Sequence, residues 1–146
     1  ALAAAGLPFL KVVQEASRFC LDMQTLFVLE SLETLRKNGR LSGVQSVVTA
    51  ALRIKLLMGA TPQGEICKKG QAMSMKQALG KMVELMAKDP GHEGKLLVLS
   101  HCNCLERAFQ LREMAQKHCR FSEVFICETG GISTVYANDG GIVAAY

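Results

Sequence analysis

Five short apolar runs recur along this chain: TLFVLE at 25–30, IKLLM at 54–58, KLLVLS at 95–100, SEVFIC at 122–127 and IVAAY at 142–146. Each is too short for a stable helix and too apolar for a surface loop, so each reads as a buried strand. None approaches the roughly 18 apolar residues of a membrane span. Amphipathic stretches separate them. Strands alternating with helices predict an α/β fold, a mixed β-sheet with helices packed on it.

The intervening segments carry helix signals. Pro8 suits a first turn, and Phe9, Val12, Val13, Ala16 and Phe19 follow at helical spacing. Ser31 is an N-cap candidate, Leu32 and Leu35 face inward, and Gly39 sits where a helix favours glycine at its end. Ser42 to Leu52 predicts a small apolar helix. Thr61-Pro62-Gln63-Gly64 is a turn leading to a shorter strand near Glu65 to Cys67. Ser74 to Ala87 predicts an amphipathic helix with Ala78, Leu79, Met82, Leu85 and Met86 inward, stopped by Asp89-Pro90-Gly91. Leu105 to His118 is a further helix, and Gly130-Gly131 opens a loop region.

At 146 residues the chain is one domain by length. A net charge of +4 spread over several helices, with 5% aromatics and no Trp, gives no clustered basic stripe or stacking platform for nucleic acid. The six cysteines, Cys20, Cys67, Cys102, Cys104, Cys119 and Cys127, lie largely inside apolar segments of a chain long enough to need no staples. They read as small buried thiols in a reducing compartment. The start, ALAAAGLPFL, lacks the basic region of a signal peptide and reads as the tail of a truncated helix.

Chemistry-bearing motifs are few. His101-Cys102-Asn103-Cys104 follows a strand and opens a helix, a place where a thiol or an anion can be stabilised. A zinc site needs a second ligand pair, and His118-Cys119 lies a helix length away. Ordinary packing is the better account of these residues. Gly130-Gly131 and Gly140-Gly141 match neither phosphate-loop fingerprint and read as turns needing positive φ. Arg40 has two readings. One is a surface cation complementing a helix C-terminus. The other is a cation placed beside the apolar residues Leu41, Val44, Val47, Val48, Ile54, Leu56 and Leu57, where an amphiphile with a negative head would fit.

These segments, taken in order, resemble the C-terminal half of the DegV family of fatty-acid-binding proteins. Leu32 to Leu41, LETLRKNGRL, is similar to the family's LxxLxxGGRI, and Leu52 to Met58, LRIKLLM, to its LxIKPIL strand. Gln63 to Ile66 stands where the family has a dGki hairpin, Gln77-Ala78-Leu79 in its KAL helix, and Tyr136 to Tyr146 in its HTGPG ending. The order and spacing hold over nearly the whole chain.

The resemblance implies a cytoplasmic bacterial protein, not itself an enzyme. Such a protein buries one long-chain fatty acid between two α/β lobes and presents its carboxylate to a fatty acid kinase. It implies that residues 1–24 lead in from an N-terminal lobe and that 25–146 form the C-terminal lobe. It leaves no cofactor, no metal, no nucleic acid and no membrane span in the expected function. The expected fatty-acid-binding residues are Arg40 and Tyr136 at the head group, with Val44, Val48, Leu56 and Ile132 along the tail. The chain departs from the family at three places. Tyr136 stands for the terminal histidine, Asn138-Asp139 for its Gly-Pro, and Met73 for the basic residue before the KAL helix. Tyrosine still donates a hydrogen bond but is no cation at neutral pH. A second expectation therefore stands beside the first: a structural or regulatory α/β domain that pairs with another chain and has lost lipid binding.

Overall fold

The computed structural model describes residues 2–41 and 54–146. The predicted helix at Ser42 to Leu52 lies outside the described residues. The elements run α1 (Phe9–Asp22), β1 (Thr25–Val28), α2 (Glu33–Lys37), β2 (Lys55–Ala60), β3 (Ile66–Ala72), α3 (Met75–Lys88), β4 (Leu96–His101), α4 (Leu105–His118), β5 (Glu123–Glu128), α5 (Ile132–Ala137) and β6 (Ile142–Ala145). Six strands form one sheet in the order β3-β2-β1-β6-β4-β5. The β4–β5 pair is parallel and every other pair is antiparallel, so the sheet is mixed and the fold is α/β.

The main core lies between one sheet face and the helices α3 and α4. Period-2 alternation sends Leu26, Val28, Leu97, Leu99, Ile142 and Ala144 to this face. Against them pack Ala78, Leu79, Met82, Val83 and Met86 from α3, and Ala108, Leu111 and Ala115 from α4. Val83 takes the inward place expected of Leu85, which is only partly buried at the margin. Helix α3 starts where Ser74 Oγ accepts the Gln77 N–H at 3.3 Å, a side-chain cap. It ends before Pro90, which cannot continue a helix.

The opposite face carries a smaller cluster of Leu29, Leu35, Leu41, Leu56, Met58, Cys102 and Ala137, covered by α2 and α5. Several elements differ from expectation. The run after Gly130-Gly131 is not all loop, because α5 folds there. β3 extends to Ala72 through the polar stretch KKGQ; it is an edge strand, where polar side chains are tolerated, and its pairing shifts register between Leu57 and Met58. KLLVLS is not fully buried, since Leu96 is 46% exposed. The apolar repeat of α1 buries no residue at all.

Candidate functional site

An apolar groove opens on the face away from α3 and α4. β1 supplies Phe27 and, just past its end, Leu29; β6 supplies Val143; α2 supplies Leu35; and β3 supplies Ile66. Helix α5 forms the remaining wall with Ile132, Ser133, Tyr136 and Ala137. Phe27 and Val143 are register partners, so they stand side by side on the floor. The groove encloses about 230 Å³, short of the roughly 300–1,000 Å³ of sites that bury a small molecule. Its α5 side turns apolar groups to solvent: Ile132 is 70% exposed and Val135 59%.

Helix α5 has only six residues, so local propensity does not hold it. Its ends are pinned instead. Gly131 enters at φ 51°, a left-handed value that glycine adopts at no steric cost. Thr129 and Thr134 share a hydroxyl hydrogen bond at 3.0 Å. At the other end Asn138, at φ 56°, donates from its side chain to the Tyr136 carbonyl at 3.2 Å. Thr34 on α2 donates to Asn138 Oδ1 at 3.1 Å. The chain then returns to β6 through Gly140-Gly141. A methyl on Gly141 would collide with the Ala137 carbonyl oxygen, so close approach demands glycine there, whereas a positive φ of 78° does so at Gly140 only.

The His101-Cys102-Asn103-Cys104 turn lies behind this loop and braces it. The Cys102 N–H donates to the Gly141 carbonyl at 2.9 Å, and Asn103 Nδ2 donates to Asp139 Oδ1 at 2.8 Å. Arg107 donates to the Gly140 carbonyl and to Glu30 Oε1, and Lys55 pairs with the other oxygen of Glu30. Burial alone would raise the Glu30 carboxyl pKa. Hydrogen bonds and charge from Lys55 and Arg107 outweigh it and hold the group below the usual carboxylate value. Burial pushes the Cys104 thiol up, the opposite of what an activated thiolate needs. His101 Nδ1 accepts the Cys104 backbone N–H at 3.3 Å, so the ring caps the turn. This motif is structural bracing.

Of the six residues expected to bind, Tyr136 and Ile132 line the groove. Leu56 is buried beneath it, in the cluster with Leu29 and Leu35. Arg40 is exposed and does not line the groove. Its N–H donates to the Leu35 carbonyl at 2.9 Å while the Gly39 N–H donates to Arg36 at 3.1 Å, with Gly39 at φ 67°. That pair of bonds is a Schellman motif, which fixes Arg40 immediately beyond α2. Val44 and Val48 lie outside the described residues. Phe27, Leu29, Leu35, Ile66 and Ser133 were not among the expected site residues. Alternation through TLFVLE puts Phe27 and Leu29 on one face, which was the available signal; Ile66 on an edge strand gave none.

The described residues form one α/β unit, a mixed sheet with helices on both faces and an apolar groove beside the end of α2. Residues 1–146 match the model of the DegV family, described as uncharacterised protein, and the chain belongs to that family. It is similar to a DegV domain-containing protein of Streptococcus gordonii, 28% identical over 141 residues, covering 97% of this chain and 50% of the relative. Among solved structures it resembles a DegV family protein of Ruminococcus gnavus ATCC 29149 refined with vaccenic acid. The identity is 47% and the TM-score 0.91, over 99% of this chain and 51% of that one. It also resembles the Streptococcus pneumoniae fatty acid kinase (Fak) B3 protein loaded with linoleic acid, at 27% identity and TM-score 0.85, over 99% and 51%. The chain thus spans about half the length of the relatives it matches.

Proposed function

We propose that this chain forms one wall of a fatty-acid-binding site, closed by a second, N-terminal lobe to which residues 1–24 lead. The observation that carries the reading is the groove itself, an apolar half-site whose α5 wall exposes Ile132 beside a half-buried Tyr136, on a fold shared with longer proteins solved with vaccenic and linoleic acid. Apolar burial is worth about 0.8 kcal/mol per CH₂, so a long tail supplies most of the affinity and the head group sets orientation. In this reading the Tyr136 hydroxyl donates to the carboxylate, and Arg40 favours the negative head from the end of α2. Ile132 flanks the tail, with Val44 and Val48 assigned to the same role, and Leu56 supports the floor from beneath.

The role is carriage rather than catalysis: the bound carboxylate is presented to a fatty acid kinase in the cytoplasm. No helix among the described residues is long and apolar enough to cross a membrane. A pairing domain that holds no lipid is the competing reading; it rests on Tyr136 replacing a histidine, and the apolar lining of the groove speaks against it. The test is lipid extraction from the intact gene product after gentle purification. Mass spectrometry is expected to find a stoichiometric fatty acid. An empty protein that takes up no added fatty acid would overturn the reading.

A further inference from the structure

Beside the groove, the same sheet face carries a second cavity, and one step of β6 separates the two. Val143 stands in the floor of the groove. Ala145, the next residue of β6 on that face, stands in the floor of the second cavity, which encloses about 290 Å³. Val98 and Leu96 of β4 extend that floor, and Phe19 and Met23 line it from the end of α1. Thr25 is the register partner of Ala145, as Phe27 is of Val143. The joint between the cavities is therefore floored by two short side chains, Thr25 and Ala145. Neither cavity alone reaches the roughly 300–1,000 Å³ of sites that bury a small molecule; together they do.

The pair of cavities has a direction. The close approach of Gly141 to the Ala137 carbonyl holds the C-terminal end of α5, and Tyr136 with it, at the start of β6. The second cavity lies at the other end of β6, about 13 Å further along at about 3.3 Å per residue from Gly141 to Ala145. Both charged groups at its rim are already engaged. Lys95 Nζ donates to the Asp22 main-chain carbonyl at 3.0 Å and lies 5.9 Å from the centre of the Tyr146 ring, and the Asp22 carboxylate pairs with Arg18. The Lys95–Asp22 bridge ties the start of β4 to the end of α1 and closes the far side.

We infer that the two cavities are consecutive parts of one acyl channel, with the end of a long tail seated over Ala145 and Val98 and the size of residue 145 setting the longest chain accepted. The inference rests on the fatty-acid reading above and deepens it. A carboxylate at Tyr136 sends the tail past Ile132 and over Phe27 and Val143, where a short chain ends. A longer chain goes on burying methylenes only by crossing Thr25 and Ala145 into the second cavity. Side chains stand roughly perpendicular to a sheet, so a larger residue at 145 would rise into that path.

Titrations of the intact, delipidated gene product with dodecanoic acid and with vaccenic acid test this, in the parent and in two variants that fill the second cavity from opposite walls. Ala145→Leu fills it from the sheet. Met23→Trp fills it from the α1 side, at a residue that is 42% exposed and can change without unpacking the core. Each is expected to weaken vaccenic acid binding by at least about tenfold, the loss of roughly two buried methylenes, and to leave dodecanoic acid within about twofold. Equal losses for the two acids, or unchanged vaccenic acid affinity, in proteins with the parent's melting temperature, would overturn the channel. If Ala145→Leu melts early, Met23→Trp decides alone. A parent that takes up neither acid overturns the fatty-acid reading and the channel with it. A parent that takes up both, with variants blind to tail length, overturns the channel alone.

Discussion

Thr34 on α2 donates a hydrogen bond to Asn138 Oδ1 at the end of α5, at 3.1 Å and across 104 residues of sequence. It ties together the two helices that flank the groove. Thr34→Val keeps the shape and removes the donor. We predict a loss of about 0.5–1.5 kcal/mol, the usual worth of such a bond, read as a lower urea midpoint. Amide exchange is expected to quicken over 132–137, because α5 has little local support of its own. An unchanged midpoint with unchanged exchange would show that the bond contributes nothing.

Gly141 carries a steric demand that no rotamer relieves, since the clashing atom is the Ala137 backbone carbonyl. Gly141→Ala is predicted to destabilise by about 1–3 kcal/mol, the range for forced overpacking. Gly64→Ala is a useful contrast. That position has open space around it, and its φ of 81° leaves backbone strain as the main cost. Equal and negligible effects at both sites would contradict the close packing of α5 on β6.

Glu30 makes part of the stability pH-dependent. Its native pKa lies below the ordinary 4.5 because Lys55 and Arg107 outweigh the cost of burial. The unfolded chain therefore binds the proton first, and the contribution is present above about pH 4.5 and lost as pH falls through the native value. Glu33 adds to the same acid window, with Arg36 and Lys37 holding it at about 2. Glu30→Gln is thus expected to flatten the acid limb only in part. Denaturant melts from pH 6 to 3 check this, and an identical slope in both proteins would contradict it.

Tyr136 offers a hydroxyl at the position where the resemblance places a histidine. Tyr136→Phe removes only the donor and is predicted to weaken fatty acid binding by about 0.5–1.5 kcal/mol, a few-fold to tenfold in Kd. Tyr136→His should introduce a pH dependence absent from the parent. Affinity rises as pH drops through about 6.5, where the imidazole gains a positive charge facing the carboxylate. Fluorescent fatty acid titrations at pH 5.5 and 8 check both. A Tyr136→His protein with the same affinity ratio as the parent would place the head group elsewhere.

Much of the sheet was legible because its strands are short apolar runs and its long helices carry caps and breakers. α3 and α4 fall within a residue or two of the segments read from Ser74 and Leu105. α5 was not legible. ISTVYA is rich in β-branched residues, and bonds from Thr34, Asn138 and Thr129 hold it, none of them local to a helix pattern. α1 misled in another way: its apolar periodicity is real, but among the described residues none of its side chains is buried. Tyr136 and Ile132 reached the candidate site through family resemblance. Leu35, Ile66 and Ser133 became apparent only when α2, β3 and α5 were brought together in space.

The most direct measurement is the fatty acid affinity of the intact gene product carrying Ile132→Asp. Ile132 is 70% exposed at the groove wall, so the change leaves the fold intact while placing a charge where the tail is expected to lie. Titration with a long-chain fatty acid is predicted to show affinity reduced by at least about tenfold, the equivalent of roughly two buried methylenes. Affinity equal to that of the parent, in a protein with an unchanged melting temperature, would contradict the assignment of this groove to the fatty acid.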